Sequence, residues 1–202
     1  MPSLDIQALQ SLTAQEQVSV RHWTVQDYHR MTELGLLDES ERTELIGGQV
    51  ILMAAKGTLH VVALSLLANL LENCLGTRAL IRTQDPIQLN NYSEPEPDLA
   101  IVQGAILDYL THHPEPSEIY WVVEVSDTTL RTDCRVKDKV YALFGITEYW
   151  VLDVINRQLH VFREPTASGY TSQVVLTESA SVTPLAFPEV SLLLQDMLPP
   201  SS

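Results

Sequence analysis

Residues 121–141 read WVVEVSDTTLRTDCRVKDKVY. The opening of this stretch belongs to the longer run IYWVVEV, which is almost unbroken in apolar residues and so has the pattern of a central strand covered on both faces. Glu124 interrupts that run. A carboxylate in such a place must be paired, protonated or bound to a metal, because an isolated buried charge costs several kcal/mol. Beyond a short polar turn, residues 130–144 have the pattern of a helix closed by Gly145, and this helix holds Lys137 and Lys139, two of the three lysines in the chain.

Side chains two apart on a strand share a face, so Glu124 and Ser126 point the same way, while Val125 faces the opposite layer with its main-chain carbonyl at the strand end. A carboxylate and a carbonyl are hard oxygen ligands. On the helix, a period of 100° per residue puts Val136, Val140, Leu143 and Phe144 on one apolar stripe expected to be buried. Lys137 flanks that stripe beside Asp133 and Tyr141, and Lys139 flanks its other side with Arg135. An ammonium here can orient an attacking water or neutralise a phosphate.

Working outward, a second acid stands in EPEPDLAIV, where Pro97 fixes the entry of a strand and leaves Asp98 to open it. A third, Glu44, precedes the hairpin TELIGGQVILMAA with its Gly47-Gly48 turn. Three carboxylates from separate elements suit one Mg²⁺ or Mn²⁺, which prefers oxygen ligands and acidifies its bound water. Each has a plainer reading. Glu124 can pair with a base on the neighbouring helix, Asp98 can cap its strand, Glu44 can join Glu41 and Arg42 in a solvated charge cluster, and Lys137 can pair with Asp133 at i,i+4. His60, after the KGT turn, Gln84 and Ser126 are candidate substrate contacts.

The remaining pattern frames these residues. Residues 1–20 read as a loose arm. A first helix begins at the candidate N-cap Thr24 and stops near Gly35. The longest helix spans 58–75, apolar at Val61, Val62, Leu64, Leu67, Ala68 and Leu71. Further strands are expected at 80–89, 98–102, 119–125, 149–154 and 159–163, with one more from Tyr170 and a Pro-rich exit. The 202 residues fit one domain, 21–196, with a tail at 197–202. The class is α/β (mixed α+β): a mixed central sheet flanked by helices.

Twelve basic against twenty-six acidic residues give a net charge of −14, which argues against a generic nucleic-acid coat but leaves room for a local cationic or metal-loaded cleft. Cys74 and Cys134 have no metal-ligand spacing and read as free thiols, pointing to a reducing, cytoplasmic setting. No uninterrupted apolar run of about 18 residues suggests a membrane span. No His/Cys cluster suggests zinc.

The separated motifs RHWTVQDYHRM, ELIGGQV, EPEPDLAIV, VVEVSDTTLRTD and GITEYWVLD together resemble the Uma-type family of restriction endonucleases, a branch of the PD-(D/E)XK nucleases, over residues 21–165. The resemblance implies a restriction-endonuclease-like αβββαβ core and a Mg²⁺- or Mn²⁺-dependent hydrolase acting on DNA, with a homodimer as the expected assembly. Its site would comprise Glu44, Asp98 and Glu124, with Lys137 as the lysine. In the superfamily the lysine stands two residues after the acid. Here Ser126 holds that place, so the role moves to the following helix. A nuclease fold retained as a silent binding or interaction module is the alternative.

Overall fold

The computed structural model describes residues 20–38, 40–127, 129–130 and 133–200. The expected arm, apart from Val20, lies outside them, as do the last two residues of the tail. The first helix, α1 (Val25–Glu33), is started by Thr24, whose hydroxyl accepts from the Asp27 amide while the Asp27 carboxylate accepts from the Thr24 amide. A hairpin of β1 (Thr43–Ile46) and β2 (Gln49–Leu52) follows. Gly47 and Gly48 both adopt positive φ, 58° and 76°, as a tight two-residue turn between antiparallel strands requires. This hairpin is a sheet of its own, tied to the rest by a bridge from Leu45 to Glu94.

Next come the long helix α2 (Thr58–Leu75), β3 (Leu80–Thr83), β4 (Leu99–Val102) and β5 (Ile119–Ser126). A π-helical turn, Asp133–Lys137, leads into α3 (Asp138–Leu143), then β6 (Glu148–Asp153), β7 (Gln158–Thr166) and β8 (Gly169–Thr177). The six long strands form one sheet in the order β3-β4-β5-β6-β7-β8. All neighbours are antiparallel except β5 and β6, which run parallel because α3 crosses between them. From α2 to β6 the order is the expected αβββαβ.

The sheet separates two cores. One face carries Leu99, Trp121, Val123, Val125 and Trp150 against the inner stripe of α2 and the C-terminal segment through Leu194, Met197 and Leu198. The other carries Val122, Tyr149, Val151 and Phe162 against Tyr141 of α3. Trp121 and Trp150 are fully buried, their ring centroids 5.5 Å apart, and each such aromatic contributes on the order of 2 kcal/mol by burial. With both faces covered, an acid on β5 has no bulk water to turn to.

Three expectations are corrected. The stripe Val136, Val140, Leu143 and Phe144 is only half inward: Val140 and Phe144 pack partly buried against the second core, whereas Val136 and Leu143 are exposed and Asp133, Lys137 and Tyr141 are buried. Four residues overshoot one turn of α-helix and fall short of the wider π turn, so 133, 137 and 141 stay aligned across the junction. The strand expected over 80–89 ends at Thr83, because Gln84 turns out of it at φ 56°. On α2 the buried residues are His60, Ala63, Leu64, Leu67, Leu71 and Leu75, leaving Val61 and Val62 exposed. That second apolar face makes Thr58–Arg78 long and apolar enough for a membrane span by length and composition, although its inner stripe is built into the core.

Candidate active site

The first part of the site follows from strand register. Leu99 pairs with Val123, so Asp98, one residue before β4, meets Glu124 and Val125, one and two residues beyond Val123. The contacts are reciprocal. Asp98 Oδ2 accepts from the Val125 amide at 2.9 Å, and Glu124 Oε2 lies 3.4 Å from the Asp98 amide. The N–H and C=O of one strand residue point to the same side, so the Val125 carbonyl shares the side on which Asp98 sits.

Asp98 is then fixed from two further directions. His60, buried at the start of α2, puts Nε2 3.0 Å from Asp98 Oδ1, and Gln84 Nε2 donates to the same oxygen at 2.9 Å. Burial alone would raise the Asp98 carboxyl. The His60 hydrogen bond and charge, the Val125 amide and Gln84 outweigh it and hold the group below the ordinary aspartate value.

The helix supplies the cation. Lys137 is only 8% exposed, and its Nζ lies 2.9 Å from Glu124 Oε1 and 3.4 Å from Glu44 Oε1. Tyr141, one turn on, donates its hydroxyl to Glu124 Oε1 at 2.9 Å. One turn back, Asp133 Oδ2 accepts from the Thr129 hydroxyl at 2.6 Å, and the Asp133 carbonyl accepts from the core residue Tyr149 at 3.2 Å, which pins the π turn to the sheet. Glu44, carried inward by β1, also accepts from the Glu96 amide at 3.2 Å.

Burial drives Glu124 up; Lys137 opposes this, and Asp98, Asp133 and Glu44 add to it, leaving the carboxyl pushed up to about 8. For Lys137 burial works downward, but the Glu124 and Glu44 carboxylates prevail and hold it above the ordinary lysine value. The ammonium keeps its proton because two carboxylates face it. Glu124 holds its proton above the ordinary glutamate range first because it is buried and then because three other acids face it.

Glu44, His60, Asp98, Glu124, Val125, Asp133 and Lys137 line one cavity of 190 Å³ together with Lys56, Glu96, Asp127, Thr129 and the β2 residues Ile51 and Leu52. A larger surface groove of 910 Å³ lies along α1, but its Asp27 and Thr24 are spent on each other, as are Arg30 and Glu33. The structure thus brings together Glu44, Asp98, Glu124, Val125 and Lys137. His60 and Gln84 reach the site through Asp98. Ser126 is buried, with its hydroxyl 3.4 Å from that of Thr129, and does not line the cavity. Lys139 is exposed, its stem toward Gly169 on β8, so of the two helix lysines only Lys137 faces the acids.

Sequence spacing did not single out Lys56, Tyr141 or Asp133 for the site. The i,i+4+4 alignment of Asp133, Lys137 and Tyr141 was a usable signal for two of them. Glu44 is not in the surface cluster either: Arg42 pairs with Glu96 instead, and Glu44 is buried.

The donor set has the chemistry of a magnesium or manganese site, since the carboxylates of Asp98, Glu124 and Glu44 and the Val125 carbonyl are all hard oxygens. Among the described residues four buried acids stand against one buried ammonium, and three of them, Asp98, Asp133 and Glu44, add to the burial that pushes Glu124 up. Among the described residues no three His, Cys, Asp or Glu groups are already drawn together around one point, so ligation requires these side chains to close in.

A family model named Uma2, described as "Putative restriction endonuclease", matches residues 25–195. In three dimensions the chain is similar to the crystal structure of a "putative nuclease belonging to DUF820" from Anabaena variabilis, with a TM-score of 0.62 at 16% identity, covering 86% of this chain and 96% of that one. At that identity the likeness shows a shared fold. No curated protein matches the sequence.

Proposed function

Because the chain belongs to the Uma2 family of putative restriction endonucleases, we propose that it is an endonuclease hydrolysing DNA phosphodiester bonds with the help of Mg²⁺ or Mn²⁺. The observation that carries this reading is the burial of Glu44, Asp98, Glu124 and Asp133 beside one buried ammonium, Lys137, at the end of the sheet. So many acids in one dry place destabilise a fold unless a cation completes them.

In this reading Asp98, Glu124 and the Val125 carbonyl hold the metal, with Glu44 assisting. Bound there, the ion would polarise a phosphoryl oxygen and acidify a water. His60 and Gln84 keep Asp98 ionised and fix its rotamer by occupying Oδ1. Tyr141 fixes the rotamer of Glu124 by donating to Oε1. An ammonium has three N–H donors; Lys137 directs two at Glu124 and Glu44, and the third is the one that orients the attacking water. Two-strand cleavage calls for two sites, so a two-fold homodimer belongs to the same reading. Light scattering tests it by showing twice the mass of one chain.

The test is incubation of the purified protein with supercoiled plasmid in Mg²⁺ or Mn²⁺, beside Asp98→Asn and Glu124→Gln. Nicking by the wild type and its loss, about 10³-fold or more, in both variants is the expected result. Undiminished cleavage in either variant removes that residue from the site. The rival reading, a silent nuclease fold used as a binding module, draws on the net charge of −14 and on the absence of a drawn-together ligand cluster among the described residues. Calorimetric titration with Mn²⁺ separates the two: a silent module takes up no stoichiometric ion.

A further inference from the structure

Lys56 lies between β2 and α2, half-buried, and lines the same cavity as the acids. Charge in that cavity is lopsided. Among the described residues Glu44, Glu96, Asp98, Glu124 and Asp133 line it against two lysines and His60. Two of these three bases are already engaged, Lys137 by Glu124 and Glu44, and His60 by Asp98. The nearby guanidinium of Arg42 is engaged as well, by Glu96.

Lys56 differs. It makes no hydrogen bond or ion pair among the described residues. Burial and the Arg42 charge lower it from the ordinary lysine value, while Asp98, Glu96 and Glu124 work the other way. An ammonium has no lone pair to offer a metal, and a partly dehydrated one without a counter-ion is poised for an anion from outside. The anion that must enter here, past a surplus of carboxylates, is the phosphodiester itself.

Resting on the phosphodiesterase reading above, we propose that Lys56 is the residue that meets the non-bridging oxygens of the scissile phosphate, Lys137 being held back by Glu44 and Glu124. The two lysines then divide the work. Lys137 keeps the acids together and orients water, and Lys56 compensates the charge of the substrate as it arrives. With Lys56 lining the cavity from the segment between β2 and α2, a lysine two residues after Glu124, where Ser126 stands, is not needed for this task.

The test compares wild type with Lys56→Ala, Lys56→Arg and Lys139→Ala, the last removing the same charge from the exposed side of α3. A fluorescein-labelled DNA duplex is titrated in Ca²⁺ over a range of KCl, plasmid cleavage is followed in Mg²⁺, and Mn²⁺ binding is measured by calorimetry. Lys56→Ala should make the slope of log affinity against log salt shallower by about one and slow cleavage about 10²-fold, with Mn²⁺ affinity kept or tightened. Lys56→Arg should recover most of the slope, and Lys139→Ala should match wild type throughout. A Lys56→Ala protein with unchanged slope and rate, or one that loses Mn²⁺, overturns the proposal while leaving the nuclease reading intact. Wild type that binds the duplex but never cuts overturns the nuclease reading, and the slope still decides Lys56. Wild type that neither binds nor cuts overturns both.

Discussion

Replacing Lys137 by Met tests whether the buried ammonium is what permits the acids to gather. Its Nζ stands 2.9 Å from Glu124 and 3.4 Å from Glu44, and removing one partner of a buried pair costs about 3–5 kcal/mol when the other stays charged. The charge state sets how much of this is felt. A carboxyl whose folded pKa is raised favours the fold while it is protonated; that stability is complete below the unfolded value of 4.5 and is lost as pH rises through the folded value of about 8. Near pH 6 Glu124 therefore carries its proton in both proteins, and the variant loses chiefly a hydrogen bond, about 1–2 kcal/mol. Above about 8 the wild type ionises Glu124 against Lys137, whereas the variant must keep the proton or bury an unpaired charge, so the deficit should widen by about 1.4 kcal/mol for each pH unit above about 8. For a chain of this size the widening at pH 9 is a further fall in Tm of about 3–6 °C. Urea unfolding at pH 6 and pH 9 reads both limits, and adding Glu124→Gln should flatten the pH dependence. A deficit equal at the two pH values, or larger at pH 6, refutes the coupling described here.

Two more outcomes follow from the same contacts. If Glu124 is a ligand, it must surrender its proton to Mn²⁺, so affinity should weaken about tenfold for each pH unit below about 8; calorimetry in buffers of different protonation heat should show net proton release at pH 7, and a pH-independent affinity without release excludes Glu124 from the coordination. His60→Ala removes a partner of Asp98 without touching the cavity acids themselves, and should weaken Mn²⁺ binding about 10- to 100-fold while lowering stability by about 1–3 kcal/mol; unchanged metal affinity would limit His60 to packing.

Much of the fold was written in local patterns. The two-sided apolar run around Glu124 marks a central strand, Gly47-Gly48 marks a hairpin, and Thr24 with Asp27 marks a helix start, because each depends on neighbours within a few residues. Asp98 could be placed at a strand opening by the proline before it. The phase of the helix after β5 could not be read the same way. A rule that turns apolar residues inward selects Val136 and Leu143, whereas the real inward face is polar, satisfied by Glu124 and Glu44 from elements remote in sequence. The convergence of His60 and Gln84 on one oxygen of Asp98 likewise depends on a helix start and a left-handed turn meeting at the sheet end, which no spacing encodes. Lys56 belongs to no periodic pattern at all; only the assembled cavity shows that it has company.

The hairpin that bears Glu44 is fastened to the molecule separately from the sheet that bears Asp98 and Glu124. A small tilt of that ribbon would carry one acid away from Lys137 and leave the other two in register. The constellation thus stands on two supports: substitutions that loosen the ribbon's hydrogen bonds to Tyr92, Ser93 and Glu94 would shift Glu44 at no expense to the pairing of the six strands.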